Sequence, residues 1–99
     1  MPGETLAKIG EGTRALGSAM HYVYLLESES KPGKRYVGYS KDLRQRVASH
    51  NAGTNVSTAP YRPWRVRTYL AFTSKQQALE FERYLKSGSG HAFADRRLW

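Results

Sequence analysis

The strongest constraint on the fold is local. Two short apolar runs of strand type lie one turn apart, and a basic helical run follows them directly. The first run, Tyr22-Val23-Tyr24-Leu25-Leu26, packs two aromatic, one β-branched and two leucine side chains into five positions, the composition of a strand. Its alternation puts Tyr22, Tyr24 and Leu26 on one face and Val23 and Leu25 on the other. The strand is expected over His21–Glu27. Pro32 and Gly33 make Ser28–Lys34 a turn. Arg35–Tyr39 is the second strand, and so short a connection favours an antiparallel hairpin. Gly38 interrupts that strand, where a glycine marks a close backbone approach or a bend.

The rest of the chain completes a small layered domain. Ser40 can cap a helix running from Lys41 to about Asn51, with Asp42 in its first turn. Leu43 and Val47 form its apolar stripe, Arg46 and His50 share one face beside it, and Gly53 is a plausible stop. Residues 52–64 hold two prolines and many small hydroxyl side chains and read as a loop. Arg65–Phe72 is the third strand, with Val66, Thr68, Leu70 and Phe72 alternating against Arg67, Tyr69 and Ala71. Ser74 and Gln77 fit a capping box for a helix reaching about Lys86, which buries Ala78, Phe81 and Leu85 and carries Glu82 beside that stripe. Gly88 is expected to close this helix, and Ser89 to start a short last one through Ala94, ending near Arg96 and Arg97. The order β-β-α-β-α-α predicts an α+β fold, a three-stranded antiparallel sheet flanked by helices. Residues 1–19, broken by Pro2, Gly3, Gly10, Gly12 and Gly17, read as a flexible tail ahead of a domain over residues 20–99.

Charge narrows the partner. Sixteen Lys and Arg against eight Asp and Glu give a net +8 at pH 7, which favours a polyanion. No cysteine is present, so thiolate metal sites, disulfides and cysteine nucleophiles are excluded. His21, His50 and His91 are not spaced as a zinc set, and neither a P-loop nor a dinucleotide fingerprint occurs. No apolar run approaches the ~20 residues of a membrane span, and the start has no secretory pattern, so a cytoplasmic location and no membrane partner are expected. Carboxylates are few, which leaves room for at most one oxygen-ligated divalent cation.

The joint pattern resembles a known family. Tyr22-Val23-Tyr24 and Tyr36-Val37-Gly38 look like the two motifs that name the GIY-YIG nucleases, with Tyr22 in place of the leading glycine and valines in place of the isoleucines. Arg46 stands ten residues past Tyr36, where that family carries a helix arginine, and Ala78–Lys86 resembles its metal-binding helix, with Glu82 as the glutamate. The resemblance covers about residues 20–98. It is nearest to small stand-alone members, which are similar to the nuclease domain of the bacterial excision-repair incision subunit.

The resemblance implies an endonuclease that hydrolyses DNA phosphodiester bonds in repair, recombination or processing of branched or single-stranded DNA. Glu82 would hold one Mg²⁺ or Mn²⁺, and Arg46 would clamp the phosphate. Tyr24 and Tyr36 are the candidates for activating water, and His50 for contacting phosphate or assisting proton transfer. Lys41, Arg44, Arg62, Arg65 and Arg67 are candidate phosphate contacts. Trp64, with Ser57 and Thr58 in the same loop, is a candidate for contacting DNA by stacking. Tyr22 and Tyr39 read as packing. The competing reading is a non-catalytic nucleic-acid-binding module on the same fold, since no asparagine follows Asn55 where some relatives use one. RNA is a weaker candidate ligand than DNA. A domain this small leaves little surface for specificity, which a homodimer or a partner protein would supply. The implied site makes one geometric demand: Tyr24 and Tyr36 must lie on the same sheet face and share a cleft with Arg46 and Glu82.

Overall fold

The computed structural model describes residues 19–99; the expected tail falls almost entirely outside the described residues. The elements in chain order are strands β1 (His21–Ser28) and β2 (Arg35–Ser40), helix α1 (Leu43–Ala52), a 3₁₀ turn (Ala59–Tyr61), strand β3 (Trp64–Phe72), and helices α2 (Lys75–Leu85) and α3 (Gly88–Arg97). The sheet is antiparallel with order β2-β1-β3, so the apolar run β1 is central. Seven of its eight residues are buried, as a strand covered on both faces requires.

Each face of the sheet has its own core. Tyr22, Tyr24 and Leu26 pack with Leu43 and Val47 of α1 and with Trp64. Val23 and Leu25 pack on the other side with Ala78 and Leu85 of α2 and Ala94 of α3. The alternation along β1 therefore divides the molecule into an α1 layer, the sheet, and an α2/α3 layer.

Three local expectations are corrected. Strand β2 continues through Ser40, which still pairs with Tyr22, so the turn into α1 comes two residues later. Asp42 is the cap, and its Oδ1 accepts the Gln45 amide at 3.0 Å; Ser40 Oγ accepts the Asp42 amide and braces the turn. In β3 the expected single face is split. Leu25 pairs with Thr68 but Leu26 pairs with Val66, so Arg67 is an extra residue in a bulge. The bulge returns Val66 to the α1 core while Leu70 and Phe72 stay in the α2/α3 core. It also turns Arg67 toward Glu27 and the Trp99 carbonyl. Finally, Gly88 opens α3 and does not close α2. Ser87 caps α3 by accepting the Gly90 amide, and Gly90 packs so tightly on the Tyr84 carbonyl that no side chain fits there.

Two sequence features perform as expected. Gly53 ends α1 with φ 82°, a left-handed conformation that favours glycine, and Ser74 caps α2 by accepting the Gln77 amide. Among the described residues no helix is long and apolar enough to cross a membrane.

Candidate active site

Strand pairing puts Tyr24 and Tyr36 on the same side of the sheet. Tyr36 lies opposite Leu26, so it shares the face of Tyr24 and Leu26, and both rings face α1. Tyr24 lies opposite Gly38 in β2. Its ring crosses the edge strand over the bare glycine backbone: a Cβ on Gly38 would come within 2.5 Å of Tyr24 Cζ and 2.9 Å of the Tyr36 ring. The glycine read from the sequence as a close approach is the groove in which the Tyr24 phenol rests.

Helix α1 sets the opposite wall. His50, one turn after Arg46 and 2 % exposed, aims Nε2 at the Tyr24 hydroxyl, 3.0 Å away. Its ring meets the Tyr36 ring edge-on at 4.9 Å between centroids. The other ring nitrogen, Nδ1, lies 2.9 Å from Thr58 Oγ1, which is also buried. Loop 53–63 is held there by two clamps. The Asn51 amide brackets the Trp64 backbone at 2.6 and 3.1 Å, and the Trp64 indole N–H donates to the Thr58 carbonyl at 2.9 Å.

Electrostatics tie Arg46 and Glu82 to the same phenol. Burial pushes the Tyr24 hydroxyl up to about 12, with a further rise from the neighbouring Tyr36. Arg46 opposes this, both as a charge and by hydrogen bonding, while the Glu82 carboxylate adds a small rise. Arg46 on α1 and Glu82 on α2 thus both act on the Tyr24 hydroxyl as charges, Arg46 the more strongly. Burial also lowers the His50 pKa below its ordinary value, and the Arg46 charge lowers it further, so the imidazole is neutral at pH 7.

Glu82 is half-buried and pairs with Lys86 at 2.5 Å. Among the described residues no three His, Cys, Asp or Glu side chains gather into a metal cluster. Glu82 alone still fits a hard divalent cation of the Mg²⁺ kind, which binds through one or two carboxylates and keeps its other positions for water and substrate phosphate. A cavity of 510 Å³ is lined by Tyr36, Arg35, His91, Trp99 and Lys86, the ion-pair partner of Glu82, among others.

The sequence candidates thus separate. Tyr24, Tyr36 and His50 are in mutual contact, and Arg46 and Glu82 act on the Tyr24 hydroxyl as charges. Lys41 and Arg44 lie exposed at the start of α1. Arg62 is exposed on the loop, its guanidinium against Gly53. Trp64 is a correction. It is 4 % exposed, its N–H is committed to Thr58, and its ring packs against Tyr36 and Tyr61, so it has no face for a base. Thr58 is likewise buried against His50, so it does not contact DNA. Arg65, half-exposed, pairs with Glu27 on the sheet face away from α1, and Arg67 pairs with the same carboxylate. Thr58 and Gly38 are the site residues whose roles the sequence left open. Extending the β3 alternation back by one step, from Val66 to Trp64, would have put the indole inside.

A tyrosine pair on a β-hairpin, an arginine and a histidine one helical turn apart, and a carboxylate from a second helix define a domain of the GIY-YIG type. Comparison with known proteins agrees: the model of the GIY-YIG catalytic domain matches residues 20–93. The chain belongs to the GIY-YIG family. It is 39 % identical over 66 residues to a UPF0213 protein of Streptococcus pyogenes serotype M5, covering 66 % of this chain and 70 % of that one. A UPF0213 protein of Halobacterium salinarum is 38 % identical over 68 residues, covering 68 % and 86 %. The "structure-specific endonuclease subunit SLX1" of Scheffersomyces stipitis is 39 % identical over 84 residues, covering 72 % of this chain but 25 % of its own length. Among solved structures, a UPF0213 protein of Bacillus halodurans aligns with TM-score 0.48 and 30 % identity, covering 79 % and 85 %.

Proposed function

We propose that this protein is an endonuclease that hydrolyses DNA phosphodiester bonds, using one Mg²⁺ or Mn²⁺ at Glu82. The observation that carries the reading is the Tyr24 hydroxyl, hydrogen-bonded to a neutral buried histidine and subject to the charges of both Arg46 and Glu82. Family membership and the similarity to an endonuclease subunit support the reaction class. The net +8 charge supports a nucleic-acid substrate.

The proton path follows from the energies. Forming a free Tyr24 phenolate at pH 7, against a pKa of about 12, would cost on the order of 7 kcal/mol. Without a bound cation, a standing phenolate is therefore not populated. As water attacks phosphorus, its proton passes to Tyr24 Oη while the phenol proton passes to His50 Nε2. The P–O3′ bond breaks, leaving a 5′-phosphate and a 3′ oxyanion that takes a proton from solvent to become the 3′-hydroxyl. Arg46 cannot deprotonate, so it holds the phosphate and offsets the charge that grows on its oxygens. A cation at Glu82 supplies Lewis-acid polarisation of the phosphate and stabilises the leaving oxygen. Lys41, Arg44 and Arg62 would hold flanking phosphates, and the cavity lined by Tyr36 and Lys86 gives a neighbouring nucleotide room. The structure-specific relative motivates branched and flapped DNA, in repair or recombination, as first substrates, and its description as a subunit motivates a partner protein as the source of specificity.

The test is divalent-dependent cleavage of nicked, flapped, branched and single-stranded DNA. Arg46→Ala and Glu82→Ala should each lower the rate by two or more orders of magnitude, the scale of losing one transition-state donor. Wild-type cleavage by either variant refutes the mechanism. Salt-sensitive binding without cleavage under any metal favours a non-catalytic module instead.

A further inference from the structure

The nuclease reading leaves Thr58 and its loop without a role, although the loop is among the most heavily hydrogen-bonded parts of the molecule outside the helices and strands. The hydrogen-bond directions around His50 give it one. Thr58 Oγ1 has the Asn55 carbonyl as an acceptor for its own proton, so toward His50 Nδ1 it accepts. His50 Nε2 is then the bare nitrogen, 3.0 Å from the Tyr24 hydroxyl whose proton it accepts. With Nε2 accepting, the neutral imidazole carries its proton on Nδ1, and that proton goes to Thr58 Oγ1 at 2.9 Å. The Thr58 hydroxyl in turn donates to the Asn55 carbonyl at 3.4 Å. The chain Tyr24–His50–Thr58–Asn55 runs in one direction, and among the described residues no buried side-chain polar atom lacks a partner.

We infer that Thr58 is a positioning residue: it fixes His50 in the Nδ1–H tautomer, leaving Nε2 free to take the Tyr24 proton. The inference rests on the proposed nuclease mechanism for its purpose, but not for its geometry. The opposite tautomer would put N–H against the phenol oxygen and leave no lone pair to receive the proton. The placement of Thr58 is enforced from outside the site. Its carbonyl is gripped by the Trp64 indole, and Trp64 is fastened to the end of α1 by Asn51. The loop thus acts as a strap across the back of the imidazole, an outer partner of the kind that orients a histidine and sets its tautomer.

The test has two independent readouts. The first is the ¹⁵N shift pair of His50 in the free protein, measured at a pH where the ring is neutral. Wild type should show a protonated Nδ1 and a bare Nε2. Thr58→Ser should keep that pattern. Thr58→Val, similar in shape but without the hydroxyl, should shift it toward a mixture or toward Nε2–H. The second is cleavage kinetics. Thr58→Val should lower kcat by about 10–100-fold with KM changed by less than about twofold, and Thr58→Ser should recover most of it. A bare Nδ1 in the wild type overturns the inference, even if Thr58→Val fails to fold. So does wild-type kcat in a folded Thr58→Val. If the wild type cuts no DNA, the nuclease reading fails, while the shifts still decide the tautomer.

Discussion

Replacing Gly38 by alanine tests the site through its least conspicuous member. Alanine is the better residue inside a strand by about 0.5–1 kcal/mol, and with nothing above the strand Gly38→Ala would stabilise. The structure reverses the sign. The new Cβ would sit 2.5 Å from Tyr24 Cζ and 2.9 Å from the Tyr36 ring. Tyr24 is fully buried and pinned to His50, so its ring cannot simply swing aside. Overpacking of this kind costs ~1–3 kcal/mol. If the phenol is pushed off His50, a buried nitrogen loses its partner at a further ~1–3 kcal/mol. The net is a loss of roughly 1–5 kcal/mol, at about 4–8 °C in Tm per kcal/mol for a domain of this size. A shift of the phenol by about 1 Å should also cost ~10²-fold in cleavage. Calorimetry and urea midpoints measure the first effect and the substrate panel the second. A Gly38→Ala protein with wild-type Tm and wild-type cleavage would refute the claim that the bare backbone cradles Tyr24.

Three further outcomes follow from burial and ion pairing. The folded-state pKa of His50 lies below its unfolded value of 6.5, so between the two the unfolded chain binds more protons and stability rises with pH. Stability to urea should therefore be full above pH 6.5 and fall on acidification below it, and His50→Gln should flatten that limb; an unchanged slope would contradict a neutral buried imidazole. Glu27 is held below its ordinary 4.5 by Arg67 first and Arg65 second, so its contribution is complete above pH 4.5 and is lost at lower pH, separately from the His50 limb. Trp64→Phe removes the bond to the Thr58 carbonyl and part of a buried ring, so urea midpoints should report a loss of about 1–2 kcal/mol. The salt slope of DNA binding should not change. Weaker binding to single strands at unchanged stability would return Trp64 to the role of a stacking residue.

How far the sequence reached depends on the kind of interaction. Period-two alternation in β1 is a property of the chain alone. It fixed which residues share a face, and through the hairpin register it put Tyr24 and Tyr36 together. The helical spacing of Arg46 and His50 and the placement of Glu82 beside its apolar stripe were legible for the same reason. The faces of β3 were not, because a single bulge at Arg67 reverses the side of every residue before it, and no local pattern announces a bulge. Nor was the cap of α1, since Ser40 and Asp42 both qualify and only the sheet pairing of Ser40 decides between them. The loop was the largest gap. Its prolines, hydroxyls and aromatics have the composition of a surface that meets a ligand, yet Trp64 and Thr58 are buried by long-range bonds to Asn51 and His50.

The sequence by itself determined the faces of β1, the helix stripes, the basic surface and the identity of the groups that can do chemistry. Those follow from spacing and residue type. Tertiary structure alone decided what surrounds each group: that Gly38 makes room for the Tyr24 phenol, that burial drives that phenol up to about 12 and keeps His50 neutral, and that Thr58 stands behind the imidazole. Desolvation and hydrogen-bond direction depend on neighbours far apart in the chain, so these properties arise only when the three layers close.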